Sequence, residues 1–220
     1  MLQKINAAKK ALEMMEENKI IGLGSGTTAA EFVRMLGEKK KAGFKIDACI
    51  PTSFEARMFA IKYGLSRYLC DPDQVDRIHV AVDGADYVSK EFIIKGGGAA
   101  LTREKVVAYN AERFIVIADE SKIAKGPKSS VALEAIKFSA PFVIKTLAKL
   151  GYPATIRVGT GKVGPIISDN NNFIIDAKIE IKNPSTLESM LNSIPGVLEN
   201  GIFTKFTKII IGTEKGAYEL

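Results

Sequence analysis

The stretch from Lys19 to Gly37, K-I-I-G-L-G-S-G-T-T-A-A-E-F-V-R-M-L-G, narrows the possible folds more than any other part of the chain. A short apolar run enters a glycine-rich turn and leaves it as an amphipathic helix, the strand–turn–helix unit of an open parallel sheet. Gly24 and Gly26 let other atoms approach the backbone closely. Ser25, Thr27 and Thr28 place hydroxyls beside the free amides of a helix N-terminus, where negative charge is favoured. Three hydroxyls exceed what a helix cap requires, so the turn reads as a phosphate cradle, with Gly37 as the expected end of the helix.

Two rival readings of this turn lack a required part. Gly24-x-Gly26-x-x-Ala29 satisfies the dinucleotide pattern, but the strand expected over residues 46–50 ends in Pro51-Thr52-Ser53 and not in the acid that would hold a ribose. The Walker pattern fails because no Gly-Lys-Ser/Thr follows at the right distance.

The remaining periodicity extends the same scheme. Ile5, Ala8, Leu12 and Met15 recur at helical spacing before the first strand. Pro51-Thr52-Ser53 opens a helix through Phe54, Met58 and Ile61 to Gly64, and Asp71-Pro72-Asp73 turns the chain into a strand over 78–82. A further apolar strand over 114–118 completes an alternation that argues for a parallel, helix-covered sheet. Gly126-Pro127 reads as a boundary. Beyond it the order is strand (131–138), helix (140–150), strand (154–158), strand (173–181), helix (184–193) and strand (197–203), with Asp169-Asn170-Asn171-Asn172 as a turn. This β-α-β-β-α-β order indicates a small ferredoxin-like α+β domain. The run Thr207 to Gly212 is one strand too many for it and is expected to return to the first sheet. The expected division is residues 1–126 plus 205–220 for the α/β domain and 127–204 for the smaller one.

Charge and cysteine content bound the partners. Thirty-one Lys and Arg against 25 Asp and Glu give a net charge of +6, which suits an anionic ligand. Only Glu38-Lys39-Lys40-Lys41 is a tight charged run, and no nucleic-acid motif accompanies it, so neither DNA nor RNA is expected as a partner. Cys49 and Cys70 lie in apolar segments without C-x-x-C spacing and read as small buried residues of a reducing cytoplasm. No apolar run approaches the roughly 20 residues that span a bilayer, and no signal core is visible, so a soluble protein without membrane contact is expected.

Chemistry concentrates between Val80 and Lys105: V-A-V-D-G-A-D-Y-V, a link, then F-I-I-K-G-G-G-A-A-L-T-R-E-K. Each apolar run reads as a buried strand ending in a charged group and glycine, which brings Asp83, Asp86 and Lys95 out at strand ends with Glu104 just beyond. Open α/β sheets bind ligands there. His79, the only histidine, reads as a strand residue, so carboxylates and lysines must do any chemistry. Hydroxyls and amides for phosphate, lysines for charge and carboxylates nearby suit proton transfer on a phosphosugar. A base takes a carbon-bound proton while donors hold the enediolate oxygen, at roughly 10²–10⁴-fold for the base and 10²–10³-fold for the donors. Plainer roles stand beside these. Glu104 could complement a helix dipole, Asp83 and Asp86 could be turn formers around Gly84, and a D-x-x-D pair could bind Mg²⁺ were lysines not competing for the same charge.

The segments G-L-G-S-G-T-T-A, V-D-G-A-D, K-G-G-G-A-A-L-T-R-E-K and A-D-E-S-K, in this order, resemble ribose-5-phosphate isomerase of the A type, and G-P-I-I-S-D-N and I-P-G-V-L-E-N-G-I-F extend the likeness over nearly the whole chain. The resemblance implies an aldose–ketose isomerase that interconverts D-ribose 5-phosphate and D-ribulose 5-phosphate in the non-oxidative pentose phosphate pathway, with no cofactor and no metal. It also implies a Rossmann-like domain with a smaller α+β domain, and a homodimer or homotetramer assembled through the latter. By motif, Glu104 is the general base. Asp83 and Asp86, with Gly84 and Ala85, assist ring opening and hold sugar hydroxyls, and Lys95 with Gly96, Gly97 and Gly98 forms a substrate loop. Ser25, Gly26, Thr27 and Thr28 hold the phosphate, with Lys122 and Lys4 as further substrate lysines. Two departures stand out: Tyr87 replaces the glutamate of D-G-A-D-E, and Lys137 replaces a usual proline. The alternative in another class is a non-catalytic phosphosugar-binding module, which would need a partner domain for which 220 residues leave no room.

Overall fold

A computed structural model describes residues 1–123, 130–161 and 163–220. In chain order the elements are α1 (Leu2–Glu13), β1 (Ile20–Leu23), α2 (Gly26–Lys41), β2 (Ala48–Pro51), α3 (Phe54–Lys62), β3 (Ile78–Gly84), β4 (Tyr87–Val88), β5 (Ile93–Ile94), α4 (Leu101–Asn110) and β6 (Ala111–Asp119). They continue with β7 (Val131–Ala135), α5 (Ala140–Lys149), β8 (Ala154–Ile156), β9 (Phe173–Ala177), α6 (Pro184–Asn192), β10 (Val197–Asn200), β11 (Ile202–Phe203), β12 (Lys208–Thr213) and β13 (Gly216–Glu219). Among the described residues, no helix is long and apolar enough to cross a membrane.

The chain divides into two compact units. The first comprises Met1–Ala85, Arg103–Ile123 and Lys205–Leu220. Its six-stranded sheet runs β13-β12-β6-β3-β1-β2, with every neighbouring pair parallel except β12 with β13. The run Thr207 to Gly212 does return to this sheet, pairing with β6. Helices cover both faces. Ala7, Ala8 and Ala11 of α1 and Phe32, Val33 and Leu36 of α2 pack with Ile21, Leu23, Val80, Val82, Ile115 and Ile117 in one core. On the other face α4 comes so close that a Cβ at Gly22 would press into Val107. Burial on both faces explains why these strands read as continuous apolar runs and not as alternating ones. From β1 the chain moves to β2 on one side and then to β3 on the other, so the order reverses between β1 and β3.

The second unit comprises Asp86–Thr102 and Ala124–Thr204. Its four-stranded antiparallel sheet has the order β10-β7-β9-β8, which is the 4-1-3-2 order of a β-α-β-β-α-β unit. Val143 and Leu147 of α5 and Leu187 and Leu191 of α6 pack with Val131, Leu133 and Ile175 to form its core. Buried Glu134 is satisfied by neutral donors from one turn: Ser168 Oγ at 2.6 Å, Asn172 Nδ2 at 3.0 Å and Asn170 Nδ2 at 3.2 Å. That carboxylate holds the turn expected at residues 169–172, where Asn171 adopts a left-handed φ of 63°.

Several sequence expectations are revised. The helix α2 does not stop at Gly37 but runs on to Lys41; the glycine is there because a Cβ would strike Tyr63. The apolar run after Val80–Val88 does not supply a strand to the parallel sheet. Ile93–Ile94 forms β5, in a three-stranded sheet of order β11-β5-β4, so residues 86–102 group with the second unit and not with residues 1–85. The strand expected over 197–203 is two strands in two sheets, split at Gly201, whose N–H donates to Ala132 O and whose carbonyl accepts from Lys95 N. The strand over 131–138 ends at Ala135, leaving Phe138 exposed, and β9 ends at Ala177. The Gly126-Pro127 boundary lies outside the described residues.

Candidate active site

In the first unit, the reversal between β1 and β3 places two motif-bearing strand ends side by side, the place where open α/β sheets bind ligands. Beyond β1, Ser25 N–H donates to Asp83 Oδ1 at 3.0 Å, and Gly84 N–H donates to the same oxygen at 2.6 Å. Asp83 is 2% exposed. Gly24 is required here, since a Cβ would overlap the Asp83 carboxylate and its Cα. Gly26 follows with a φ of 83°, a left-handed conformation that starts α2.

Ser25 occupies the N-cap of α2 but does not cap it. Its Oγ is turned to Ser53 Oγ at 2.6 Å and Thr52 Oγ1 at 2.9 Å, a cluster of three hydroxyls from the ends of β1 and β2. Thr52 and Ser53 are both buried, and Ser53 also caps α3 by accepting from Ala56 N–H. The amide of Gly26 donates to Glu55 Oε2 at 3.1 Å. Thr27 Oγ1 accepts from Lys4 Nζ at 2.8 Å, and Thr28 is buried. The neighbouring residue of α1, Gln3, donates to Glu120 Oε2, so this helix start touches both the cradle and the turn after β6. Lys122 lies on that turn, half-buried, with Asp119 capping it through Ser121 N–H. Glu104 is in the first turn of α4 and is 5% exposed.

In the second unit, Lys95 follows β5 and is 4% exposed. Its N–H is held by Gly201 O at 2.9 Å. Asp86 is tied to β5 through its own N–H on Ile94 O, and its Oδ2 accepts from Gly97 N–H at 2.7 Å. Gly96 is buried while Gly97 and Gly98 are exposed. The V-D-G-A-D motif therefore spans both units, with Asp83, Gly84 and Ala85 in the first and Asp86 in the second.

Residues that sequence reasoning passed over are Thr52, Ser53 and Glu55, whose Pro-Thr-Ser start was read only as a helix opening, and Arg157, described below. His79 is a strand residue as expected, with Nδ1 accepting from Ile20 N–H. Tyr87, at the position of the family's glutamate, stacks on Phe92 at 5.5 Å between ring centres. Lys137 donates to Asn171 Oδ1 at 2.5 Å, on the turn that Glu134 holds. Among the described residues there is no group of three or more His, Cys, Asp or Glu placed to hold a metal ion.

A mostly parallel sheet with an amide- and hydroxyl-bearing turn and the buried carboxylate of Asp83 at its reversal point defines an open α/β protein of the kind that binds ligands at strand ends. Residues 48–216 match the family described as ribose 5-phosphate isomerase A (phosphoriboisomerase A). The chain is 46% identical over 220 residues to the ribose-5-phosphate isomerase A of Pyrococcus horikoshii, an alignment that covers 97% of this chain and 95% of that relative. The solved ribose 5-phosphate isomerase A of Methanocaldococcus jannaschii superposes with a TM-score of 0.93 at 44% identity, covering 99% of this chain and 97% of that one. A D-ribose-5-phosphate isomerase solved in complex with phospho-erythronic acid gives 0.93 at 45% identity, with 99% and 96% covered. The chain belongs to the ribose 5-phosphate isomerase A family.

Proposed function

We propose that this protein interconverts D-ribose 5-phosphate and D-ribulose 5-phosphate through an enediolate, with Glu104 as the base. Glu104 takes the proton from C2 of the open aldose, and the electron pair moves into the C1–C2 bond to leave negative charge on O1. The O2 proton passes to O1, and return of the first proton from Glu104 to C1, with C2–O2 becoming the carbonyl, gives the ketose. Asp83 and Asp86 assist ring opening and hold sugar hydroxyls, with Gly84 and Ala85 beside them. Lys95 and the glycine loop meet the sugar oxygens. Ser25, Gly26, Thr27, Thr28, Lys4 and Lys122 receive the phosphate.

The observation that carries this reading is the double hydrogen bond from the Ser25 and Gly84 amides to Asp83, which joins the phosphate turn to a buried carboxylate at the sheet reversal. A relative at 45% identity holds a phosphorylated sugar acid, a ligand with the same two ends, phosphate and oxygenated carbon. We further infer a cytoplasmic enzyme without cofactor or metal, with no nucleic-acid or membrane partner, that works in the non-oxidative pentose phosphate pathway. It forms a homodimer or homotetramer through the second unit, in support of which Phe138 and Phe142 of that unit are 87% and 64% exposed. The test is turnover of ribose 5-phosphate in the presence of EDTA, followed by ketose formation. Activity is expected, and its absence would overturn the assignment.

A further inference from the structure

Within the second unit, one arginine reaches across the sequence to the glycine loop. Arg157 lies just past β8, and its Nε and NH2 are held by both carboxylate oxygens of Asp176 on β9, at 2.8 and 2.5 Å. The remaining nitrogen, NH1, donates to two consecutive carbonyls, Gly96 O at 2.6 Å and Gly97 O at 3.1 Å. A planar, doubly held guanidinium is a rigid part, since the fork fits the carboxylate and leaves one edge free.

The consequence follows from the planarity of the peptide. In a trans peptide the carbonyl and the amide N–H point in opposite directions, and the described chain has no cis bond. Fixing Gly96 O on Arg157 turns the N–H of Gly97 to the far side, where it meets Asp86 Oδ2 at 2.7 Å. Fixing Gly97 O on the same nitrogen turns the N–H of Gly98 away from the guanidinium as well. Two successive amides thus have imposed orientations in a stretch whose glycines would otherwise leave them free. The positive charge on the carbonyl oxygens also polarises both peptides and strengthens their N–H groups as donors. Ala99, next in the chain, has a left-handed φ of 63° that a non-glycine residue adopts at a cost, and its N–H closes the turn on Gly96 O at 3.2 Å.

We propose that Arg157, clamped by Asp176, is a positioning residue for the isomerisation. It keeps the Gly97 amide on Asp86 and aims the Gly98 amide as a fixed donor for the oxygen on which enediolate charge develops. This rests on the isomerase reading above. Donors already aimed at developing charge act mainly on the transition state, and removing one typically costs on the order of 10²–10³ in turnover.

The experiment uses the full chain and compares wild type, Arg157→Met, Arg157→Lys and Asp176→Asn with ribose 5-phosphate and with its 2-deuterated form. For Arg157→Met, kcat is expected to fall about 10²-fold with KM within about 3-fold, because the lost interaction belongs to the transition state. The deuterium effect on kcat is expected to rise, since proton transfer becomes more fully rate-limiting. Arg157→Lys should recover part of the loss, as an ammonium cannot serve Asp176 and two carbonyls in one plane. Asp176→Asn keeps the guanidinium and should lose less than Arg157→Met. Should Arg157→Met fail to fold, the same split of kcat from KM is read from Arg157→Lys and Asp176→Asn. Turnover by the wild type with unchanged kcat in the variants would overturn this role alone. So would a fall in kcat matched by an equal fall in the folded fraction, read by circular dichroism. No turnover by the wild type would instead remove the isomerase reading, and this role with it.

Discussion

Asp83 and Ser25, 58 residues apart, are joined by a 3.0 Å hydrogen bond from the Ser25 amide to Asp83 Oδ1, and the Gly84 amide shares that oxygen. The carboxylate oxygen thus adds a side-chain tie to the main-chain bond from Gly24 N–H to Val82 O that already joins the ends of β1 and β3. The Ser25 amide is thereby committed to Asp83, which leaves the hydroxyls and the amides further into α2 for the phosphate proposed to bind at this turn.

Replacing Asp83 should separate its structural role from its chemical one. Asp83→Ala leaves two inward amides without this acceptor, a loss of about 1–3 kcal/mol for an unsatisfied buried group. In a chain of this size, each kcal/mol lowers Tm by roughly 2–4 °C. Asp83→Asn retains an acceptor oxygen and gives up the charge, so it should unfold in urea closer to wild type while still losing activity. Equal stability of wild type and Asp83→Ala would show that the bond between strand ends contributes nothing to folding.

Much of this arrangement is written locally. The β1–turn–α2 unit could be read because glycines, hydroxyls and a 3.6-residue apolar period lie within 19 consecutive residues, Lys19 to Gly37. The 4-1-3-2 unit could be read because its elements are long enough to show a period and are separated by turn residues. What escaped was made by contacts between distant segments. The strands β4, β5 and β11 have two residues each, too few for any periodicity. Gly201 divides one apolar run between two sheets for the sake of contacts with Lys95 and Ala132. Gly37 looked like a helix end but marks the close approach of Tyr63. Arg157 gave no sign at all, since its partners stand 19, 60 and 61 positions away.

Glu134 supplies a prediction in the second unit. It is fully buried and accepts only from neutral groups, Ser168, Asn170 and Asn172. Glu134→Leu takes this acceptor from the buried Ser168 hydroxyl and should cost about 1–3 kcal/mol. Glu134→Gln keeps one acceptor oxygen and should cost less. The check is a pair of urea unfolding curves, and a Leu variant as stable as wild type would show that the turn is held by something else.

The two cysteines make a pH-dependent prediction. Burial, and then the neighbouring Cys70, push the Cys49 thiol up to about 12. Burial, with Asp71 and Asp73 against a smaller opposing effect of Arg57, raises that of Cys70. At pH 8 the native protein should therefore react slowly with Ellman's reagent, and both thiols should react at once in denaturant. The sign for stability follows from linkage. The folded thiols keep their protons above the ordinary value of 9.0 while the unfolded ones release theirs, so the thiol contribution to stability is intact below about pH 9 and declines as pH rises beyond it. Only Cys49 is buried as the sequence suggests, Cys70 being partly exposed, so rapid titration of Cys49 in the native protein is the result that would contradict the burial.

Glu104 and Lys122 should fail in opposite ways. Glu104→Gln preserves shape at a buried position but removes the proton acceptor, so kcat should fall by about 10²–10⁴. Calorimetry should still detect ribose 5-phosphate, because the groups proposed for the phosphate, Lys4 and the Ser25–Thr28 turn, are untouched. Lys122→Ala removes a charge proposed to act on ground and transition states alike, and KM should rise more than kcat falls. A Glu104→Gln enzyme with near-normal kcat would take the base away from this residue. Equal falls in kcat and kcat/KM for Lys122→Ala would move that lysine from the phosphate to the reacting oxygens, because only an interaction made late in the reaction leaves KM unchanged.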